Sequence, residues 1–155
     1  QAGLDVRRGI AVDDGLGTSD PAIAAIGECV EHRGFVYGLV EPGYDQAAVL
    51  ARRLAGEADA AYGGSVLATS LKVSGLPVFS AGTIADDAPG EPILFSDARR
   101  GIYRKLVVQE GRLAGALLIG DVAEGPWYLD LIRTGAPVAA FRNALMFGRP
   151  PALAA

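Results

Sequence analysis

The sequence TSDPAIAAIGEC at residues 18–29 decides how the rest of the chain is interpreted. A polar turn ending in Asp20-Pro21 precedes a short apolar run at residues 23–26, which predicts a strand. Gly27 and Glu28 follow that run, at the strand end where ligands bind in open parallel sheets. Gly27 allows a ligand to approach the backbone closely, and the Glu28 carboxylate can accept hydrogen bonds from two neighbouring hydroxyls, as on a ribityl or ribose chain.

This stretch resembles the second flavin-binding motif of the FAD-dependent pyridine-nucleotide oxidoreductases, in which Thr…Ile-x-Ala-x-Gly-Asp closes the FAD site. The flanking sequences, RGIAVDD at residues 8–14 and EHRGFVYGLV at residues 31–40, are similar to the flavin portion of NAD(P)H-dependent nitrite reductase large subunits. NADH:rubredoxin reductases are close relatives in this resemblance, which extends from residue 3 to about residue 148. Glu28 stands where the family has aspartate, which implies a similar role for a carboxylate one methylene further out.

The size and composition of the chain limit its class. It has 155 residues, half of them apolar, which is enough for one compact domain or two small lobes. No apolar run is long enough to span a bilayer, and no charged-then-apolar leader opens the chain. The chain begins at Gln1 rather than at Met, and with the resemblance in view we interpret it as a piece of a longer protein.

Charge and cysteine content exclude several kinds of partner and site. The net charge of −4 argues against nucleic acid, because phosphate contacts need clustered lysine and arginine. The single cysteine, Cys29, excludes an internal disulfide and any four-cysteine metal or cluster site, which fits a reducing, cytoplasmic compartment. The one basic cluster is typical of solvated hairpin charges; it consists of Arg99, Arg100, Arg104 and Lys105.

The first part of the chain predicts strands at residues 9–13 and 23–26, joined by the loop GLGTSD. That loop lacks the third glycine of a dinucleotide fingerprint, and no helical pattern follows it. The sequence PGYDQAAVLARRLAG at residues 42–56 predicts a helix with proline at its start and glycine at its end. Its expected buried stripe consists of Ala47, Leu50, Ala51 and Leu54.

The resemblance implies a role for this helix, since in the family its N-terminus faces the flavin ring. The partial positive charge and free N–H groups of a helix start would stabilise a reduced flavin. An ordinary amphipathic helix packed on a sheet is the alternative. The cofactor-binding residues implied by the resemblance are Gly27, Glu28, Cys29, Pro42, Gly43, Tyr44 and Gln46, with Gly27 and Cys29 contributing backbone.

Two residues near the motif have other interpretations. Cys29 is expected to be a small buried residue beside the flavin site, with a reactive Cys29–His32 pair as the alternative. His32 is expected at the surface or at the rim of the cofactor, because it has no second ligand at metal spacing. No serine triad can be built with one histidine, and Asp86-Asp87 lies in a loop that looks solvated, so we expect no catalytic residue and no metal site.

The second part of the chain changes to short strands. Apolar runs are found at residues 66–73, 77–81, 93–96, 102–109 and 112–119, and Glu110-Gly111 predicts a tight hairpin between the last two. Alternation places Leu113, Gly115, Leu117 and Ile119 on one apolar face. Helices are predicted at residues 125–135 and 138–145, with Trp127, Tyr128 and Leu131 packed on the hairpin.

The predicted fold class is therefore α+β: a partial α/β flavin-binding segment, then a small antiparallel sheet with covering helices. We expect residues 1–62 to be the incomplete C-terminal part of an FAD-binding domain and residues 63–148 a rubredoxin-reductase-like domain, followed by a tail at residues 149–155. The sequences LKVSG at residues 71–75 and LLIGD at residues 117–121 carry the resemblance in this second domain.

Two functional hypotheses follow. In the first, the chain is part of an FAD-dependent NAD(P)H oxidoreductase of the nitrite reductase type, with the missing N-terminal half of the flavoprotein and an electron-acceptor domain or protein as partners. The chain has no complete G-x-G-x-x-G, so alone it is expected to be inactive and to hold FAD weakly or not at all. In the second, it is a flavin-free interaction or oligomerisation module, such as a homodimer. Neither hypothesis involves nucleic acid or a membrane, and the acceptor and the choice of NADH or NADPH stay open.

Overall fold

The structure, a computed structural model, describes residues 2–150 and divides into two compact units between Leu67 and Ala68. The sequence placed this boundary at residues 62–65. Residues 151–155, most of the predicted tail, lie outside the described part of the chain. The division into a small parallel sheet with a helix and a larger antiparallel sheet with covering helices confirms the α+β class.

The first unit contains two short parallel strands and one helix. Strand β1, Ile10–Val12, pairs with β2, Val30–His32, with Ile10 opposite Val30. The predicted strand at residues 9–13 is confirmed, and its neighbour comes from a part of the sequence that was not predicted as a strand. Gly9 permits the close approach of the two chains, since a Cβ there would lie 2.9 Å from the Cys29 carbonyl oxygen.

The predicted strand at residues 23–26 is wrong. In this segment only Ala24 forms a bridge, to Gly17. The chain instead closes a turn in which Thr18 holds both ends: its N–H and its Oγ1 donate to the Ile23 carbonyl at 3.1 and 2.9 Å. The Asp20 side chain accepts from the Ala22 N–H at 2.9 Å within the same turn. Gly27 and Glu28 therefore precede a strand, β2, rather than ending one.

Helix α1, Val40–Leu54, confirms the predicted helix but not its buried stripe. The side chains that are buried are Pro42 and Gln46, both in the first two turns, while Ala51 is exposed and Leu54 is 81% exposed. The helix packs on its unit through its N-terminal half. The apolar spacing continues beyond the part that is covered, so periodicity alone overestimated the buried stripe.

The second unit is one five-stranded antiparallel sheet in the order β3-β4-β7-β6-β5. Its strands are β3 Ala68–Val73, β4 Leu76–Gly82, β5 Glu91–Asp97, β6 Ile102–Gln109 and β7 Arg112–Ile119. The predicted bounds of β6 and β7 are confirmed. Glu110 and Gly111 take φ values of 51° and 72°, which are the left-handed conformations of a two-residue hairpin turn.

One face of this sheet is covered by helix α2, Gly125–Thr134, and by a 3₁₀-helical segment, Ala139–Phe147. Tyr128 and Leu131 of α2 pack against the sheet, which confirms that they are core residues, and Trp127 is partly buried beside them. Tyr128 is fully buried, and its hydroxyl donates to the Leu145 carbonyl at 2.6 Å. This bond ties the 3₁₀ segment to α2.

The apolar face predicted for β7 is wrong because the strand contains a bulge. Val107 lies opposite Gly115 but Val108 lies opposite Leu113, so Ala114 is an extra residue. The extra residue reverses the alternation, and Leu113 joins Ala116 and Leu118 in the core under the helices.

Candidate functional site

A groove in the first unit brings the motif residues and the start of α1 together. Its volume is about 360 Å³. The groove is lined by Ile26, Gly27, Glu28, Leu39, Val40, Gly43, Tyr44 and Ala47. Of the seven residues implied by the resemblance, Gly27, Glu28, Gly43 and Tyr44 are among them. Cys29, Pro42 and Gln46 do not line it.

Two glycines form the floor of the groove. Gly27 has a φ of 91°, a conformation that side-chain-bearing residues rarely adopt. A Cβ built on Gly43 would lie 3.4 Å from the Cα of Gly27 and would meet nothing else nearby. The absence of side chains at these two positions leaves backbone open where the turn at residues 26–29 meets the helix.

The turn is attached to the helix by one side chain. The Gly27 N–H donates to Oε1 of Gln46 at 2.7 Å, across 19 residues of sequence. Gln46 is fully buried, and its Nε2 amide has no hydrogen-bond partner among the described residues. Gln46 thus does not line the groove; it holds the Gly27 turn, which does line it, from the buried side of α1.

The walls are mostly apolar. Val40 is 58% exposed and Tyr44 is 71% exposed, so a ligand in the groove would cover apolar surface that is now open to water. Ile26, Leu39, Val40 and Ala47 were not predicted as site residues. The available signal was their position: Ile26 and Ala47 directly adjoin predicted site residues, and Leu39 and Val40 precede Pro42 by three and two positions.

The start of α1 carries no side-chain cap. Leu39 is the N-cap residue and cannot accept a hydrogen bond through its side chain. Pro42 lacks an N–H, so it removes one of the donors of the first turn. The remaining N–H groups and the helix dipole attract partial negative charge to this end of the groove, and the Glu41 carboxylate in the first turn offsets part of that attraction. Chemically, the groove offers apolar walls, open backbone at two glycines and one carboxylate, that of Glu28, which could accept hydrogen bonds from hydroxyl groups of a ligand.

Cys29 and His32 differ from their predicted environments. Cys29 is exposed, and its thiol contacts the Ile26 carbonyl at 3.5 Å, so the expected burial is wrong.

His32 is 2% exposed instead of lying at the surface, because β2 is covered on both faces. Its Nε2 is 2.9 Å from Oδ1 of Asp14, and its ring packs on Tyr62 at a centroid distance of 4.7 Å. The histidine is therefore engaged with Asp14 and Tyr62.

Asp14 is the electrostatic centre of that cluster. Arg33 donates to both carboxylate oxygens, through Nε at 2.9 Å and Nη2 at 2.6 Å. The hydrogen bonds from Arg33 first, and from His32 second, lower the pKa of Asp14 to about 2. This cluster is a structural tie between the β1–loop segment and β2, and none of its members lines the groove.

Behind α1, a polar network connects the helix to the end of the first unit. Oγ of Ser65 donates to Asp45 at 2.6 Å and lies 2.8 Å from the Tyr62 hydroxyl. Burial is the largest influence on Tyr62 and raises its pKa to about 12. The tyrosine therefore stays neutral and acts as a hydrogen-bonding group over the ordinary pH range.

The described residues contain no cluster of three or more histidine, cysteine or acidic side chains that could hold a metal. Asp86 accepts instead from Nζ of Lys105 at 2.6 Å, and this bond lowers the pKa of the Asp86 carboxyl. No helix within residues 2–150 has the length and apolar character needed to cross a membrane.

Comparison with known proteins finds similar sequences for both units of the chain. Residues 68–136 match the family described as rubredoxin NAD+ reductase C-terminal domain. The chain is 45% identical over 139 residues to nitrite reductase [NAD(P)H] of Bacillus subtilis, covering 90% of this chain and 17% of that protein. It is 33% identical over 119 residues to NADH-rubredoxin oxidoreductase of Clostridium acetobutylicum, covering 78% of this chain and 31% of that protein.

Solved structures agree with this relationship. The crystal structure of NADH:rubredoxin oxidoreductase from Clostridium acetobutylicum matches with a TM-score of 0.67 and 27% identity, over 94% of this chain and 38% of that one. An NAD-dependent persulfide reductase from A. fulgidus matches with a TM-score of 0.68 and 26% identity, over 92% of this chain and 31% of that one. The chain thus spans less than half the length of each of these relatives.

Proposed function

We propose that this chain is part of an FAD-dependent NAD(P)H oxidoreductase of the nitrite reductase type. Residues 68–136 belong to the rubredoxin NAD+ reductase C-terminal domain family. The chain is also homologous to NAD(P)H nitrite reductase large subunits and to NADH:rubredoxin oxidoreductase. In this proposal the first unit contributes part of the flavin site. The second unit contributes a lobe on which the electron acceptor or another subunit docks.

The observation that carries the proposal is the groove between the Gly27-Glu28 turn and the start of α1. Its apolar walls suit the isoalloxazine ring, and the two facing glycines allow close approach. Glu28 is exposed at the groove and would accept hydrogen bonds from the ribityl hydroxyls. When bound, FAD would supply the acceptor for a hydride from NADH or NADPH and pass the electrons to a downstream centre.

The residues of this chain act by positioning and by electrostatics. The uncapped N-terminus of α1 would favour electron density that accumulates at the nearest edge of the ring. Val40 and Tyr44 would exclude water from one side of the ring, because their exposed apolar surface would then be covered. Nitrite reduction and the choice of nicotinamide cofactor belong, in this proposal, to the parts of the protein beyond this chain.

The test is a flavin titration of the purified chain. Quenching of FAD fluorescence detects weak binding, and the absorbance spectrum after gel filtration detects tight binding. Glu28→Ala should weaken binding more than Glu28→Gln, since glutamine keeps one oxygen acceptor. Asp59→Ala removes an exposed carboxylate outside the groove and serves as the matched control. Equal binding by all three variants would refute the role of Glu28. No detectable binding by the unmodified chain would refute a half-site that works on its own, and would make the missing N-terminal half essential for flavin binding.

A second candidate function is supported by exposed leucines on the two edge strands of the larger sheet. Leu71 on β3 and Leu94 on β5 project to the side opposite α2 and are 52% and 57% exposed. An interaction module that self-associates through this face would be flavin-free, and light scattering would show dimers that Leu94→Glu dissociates. If the unmodified chain is a monomer by light scattering, and Leu94→Glu has the same mass, this candidate is rejected.

A further inference from the structure

Gln46 occupies an unusual place for a residue of a ligand site. It is completely buried, yet it contacts the turn that carries Glu28. Helix α1 has two buried side chains, Gln46 and Pro42, and Pro42 cannot form a side-chain hydrogen bond. Gln46 therefore supplies a polar link from the buried side of the helix to the groove.

The orientation of the Gln46 amide follows from its partner. A backbone N–H can only donate, so the oxygen of the amide and not its nitrogen faces Gly27. The contact of 2.7 Å is at the short end of the range for such bonds. A buried acceptor aimed at one N–H fixes the position of that N–H, because leaving the bond unmade costs desolvation energy on both sides.

The turn needs such support. Gly27 has a positive φ, and its neighbours Ile26 and Glu28 are both exposed, so little packing holds this turn in place. The contact between Gly43 and Gly27 limits how closely the turn can approach but does not hold it. The hydrogen bond to Gln46 is a directional contact between this turn and α1.

We propose that Gln46 is a positioning residue that sets the Gly27-Glu28 turn against the start of α1 and thereby places the Glu28 carboxylate for its ligand. This inference rests on the proposed flavin function for the identity of the ligand. It differs from the role implied by the family resemblance, in which Gln46 is part of the helix start that faces the flavin. In this structure it acts through Glu28.

Two variants of Gln46 separate the contributions of size and hydrogen bonding. Gln46→Met keeps the volume and removes the acceptor, whereas Gln46→Glu keeps an oxygen at the same reach. Gln109→Met is the matched control, since Gln109 is an exposed residue at the end of β6. Amide hydrogen exchange at Gly27 measures the hydrogen bond directly, without any ligand, and FAD titration measures its consequence.

Gln46→Met should accelerate exchange at Gly27 and raise the Kd for FAD by about 10-fold, the effect of losing one buried hydrogen bond. Gln46→Glu should keep most of the protection and most of the affinity. In the Gln46→Met background, Glu28→Ala should have less effect than in the unmodified chain, because the carboxylate is already misplaced. A purely structural role would make the two substitutions additive and would overturn the inference.

The outcomes distinguish this inference from the proposed function. If the unmodified chain binds no FAD, this chain forms no independent flavin half-site, and exchange at Gly27 still decides whether Gln46 holds the turn. If FAD binds and Gln46→Met leaves both exchange and affinity unchanged, the positioning role fails while the flavin proposal stands. If Gln46→Met does not fold, loss of protection and affinity in Gln46→Glu despite its oxygen would overturn the inference.

Discussion

Replacing Gly43 with alanine should raise the stability of this chain and lower its affinity for flavin, two effects of opposite sign from one methyl group. Gly43 is the fourth residue of α1, where alanine is favoured over glycine by about 1 kcal/mol because it loses less backbone entropy on folding. The added Cβ would lie 3.4 Å from the Gly27 Cα, an ordinary contact distance, so packing should not cancel this gain. For a chain of this size, about 1 kcal/mol corresponds to a rise of roughly 2–4 °C in Tm.

The same methyl group would project where the groove needs open backbone, since Gly43 lines it. Thermal unfolding without flavin measures the first effect, and fluorescence titration with FAD measures the second. Gly27→Ala provides the contrast: its Cβ meets nothing, but the φ of 91° is strained for alanine, so stability should fall by about 1–2 kcal/mol. A lower Tm for Gly43→Ala would refute the contact geometry, and unchanged FAD affinity would refute the placement of Gly43 at the flavin.

Three further substitutions test other parts of the structure. Asp14→Asn should reduce the loss of stability at acid pH. The pKa of Asp14 is about 2 in the folded state and 3.8 in the unfolded chain, so the folded state binds fewer protons and the free energy of unfolding decreases as the pH falls from 3.8 to 2. Urea unfolding between pH 2 and pH 5 measures this, and the same pH dependence in the variant and the unmodified chain would contradict it. Tyr128→Phe should cost about 1–2 kcal/mol in urea unfolding, since the Leu145 carbonyl loses its buried donor. Burial raises the pKa of Tyr128 to about 12 from its usual 10, so the unmodified chain should also lose stability as the pH rises from 10 to 12, and Tyr128→Phe should reduce that loss. A variant with the same free energy of unfolding as the unmodified chain at every pH would contradict both expectations for Tyr128. Glu110→Asn should raise stability by about 0.5–1 kcal/mol, since asparagine tolerates the φ of 51° better, and a lower Tm would contradict the turn geometry.

The sequence predicted the second unit better than the first because its signals are local. Glu110-Gly111 marks a two-residue turn, so the bounds of β6 and β7 followed directly. The bulge at Ala114 could not be predicted, because an extra residue in one strand is defined only by the partner strand. In the first unit, residues 23–26 have the composition of a strand, but the Thr18 side chain and the Asp20 turn take up their hydrogen bonds. Local composition could not reveal that competition.

Residues that line the candidate groove were named before the structure was known, but the contacts that hold those residues in place were not. Gly27, Glu28, Gly43 and Tyr44 were implied by the family resemblance, and they lie along one groove. Their binding of flavin stays a prediction. The hydrogen bond from Gly27 to Gln46 joins residues 19 apart, and nothing in the intervening sequence encodes that pairing. Likewise, the burial of His32 depends on Asp14 and Tyr62, which reach it only after the chain has folded back.

The strand order of the larger sheet has a consequence for how it is made on the ribosome. Strand β7 is the last of the five to be synthesised, yet it lies in the middle of the sheet between β4 and β6. Until Ile119 has emerged, β3 and β4 can form only an isolated hairpin, and so can β5 and β6. A two-stranded hairpin alone is marginally stable in water. A nascent chain that stops before β7 would therefore consist of two unjoined hairpins with open edges, the kind of intermediate that chaperones bind and that associates with its neighbours.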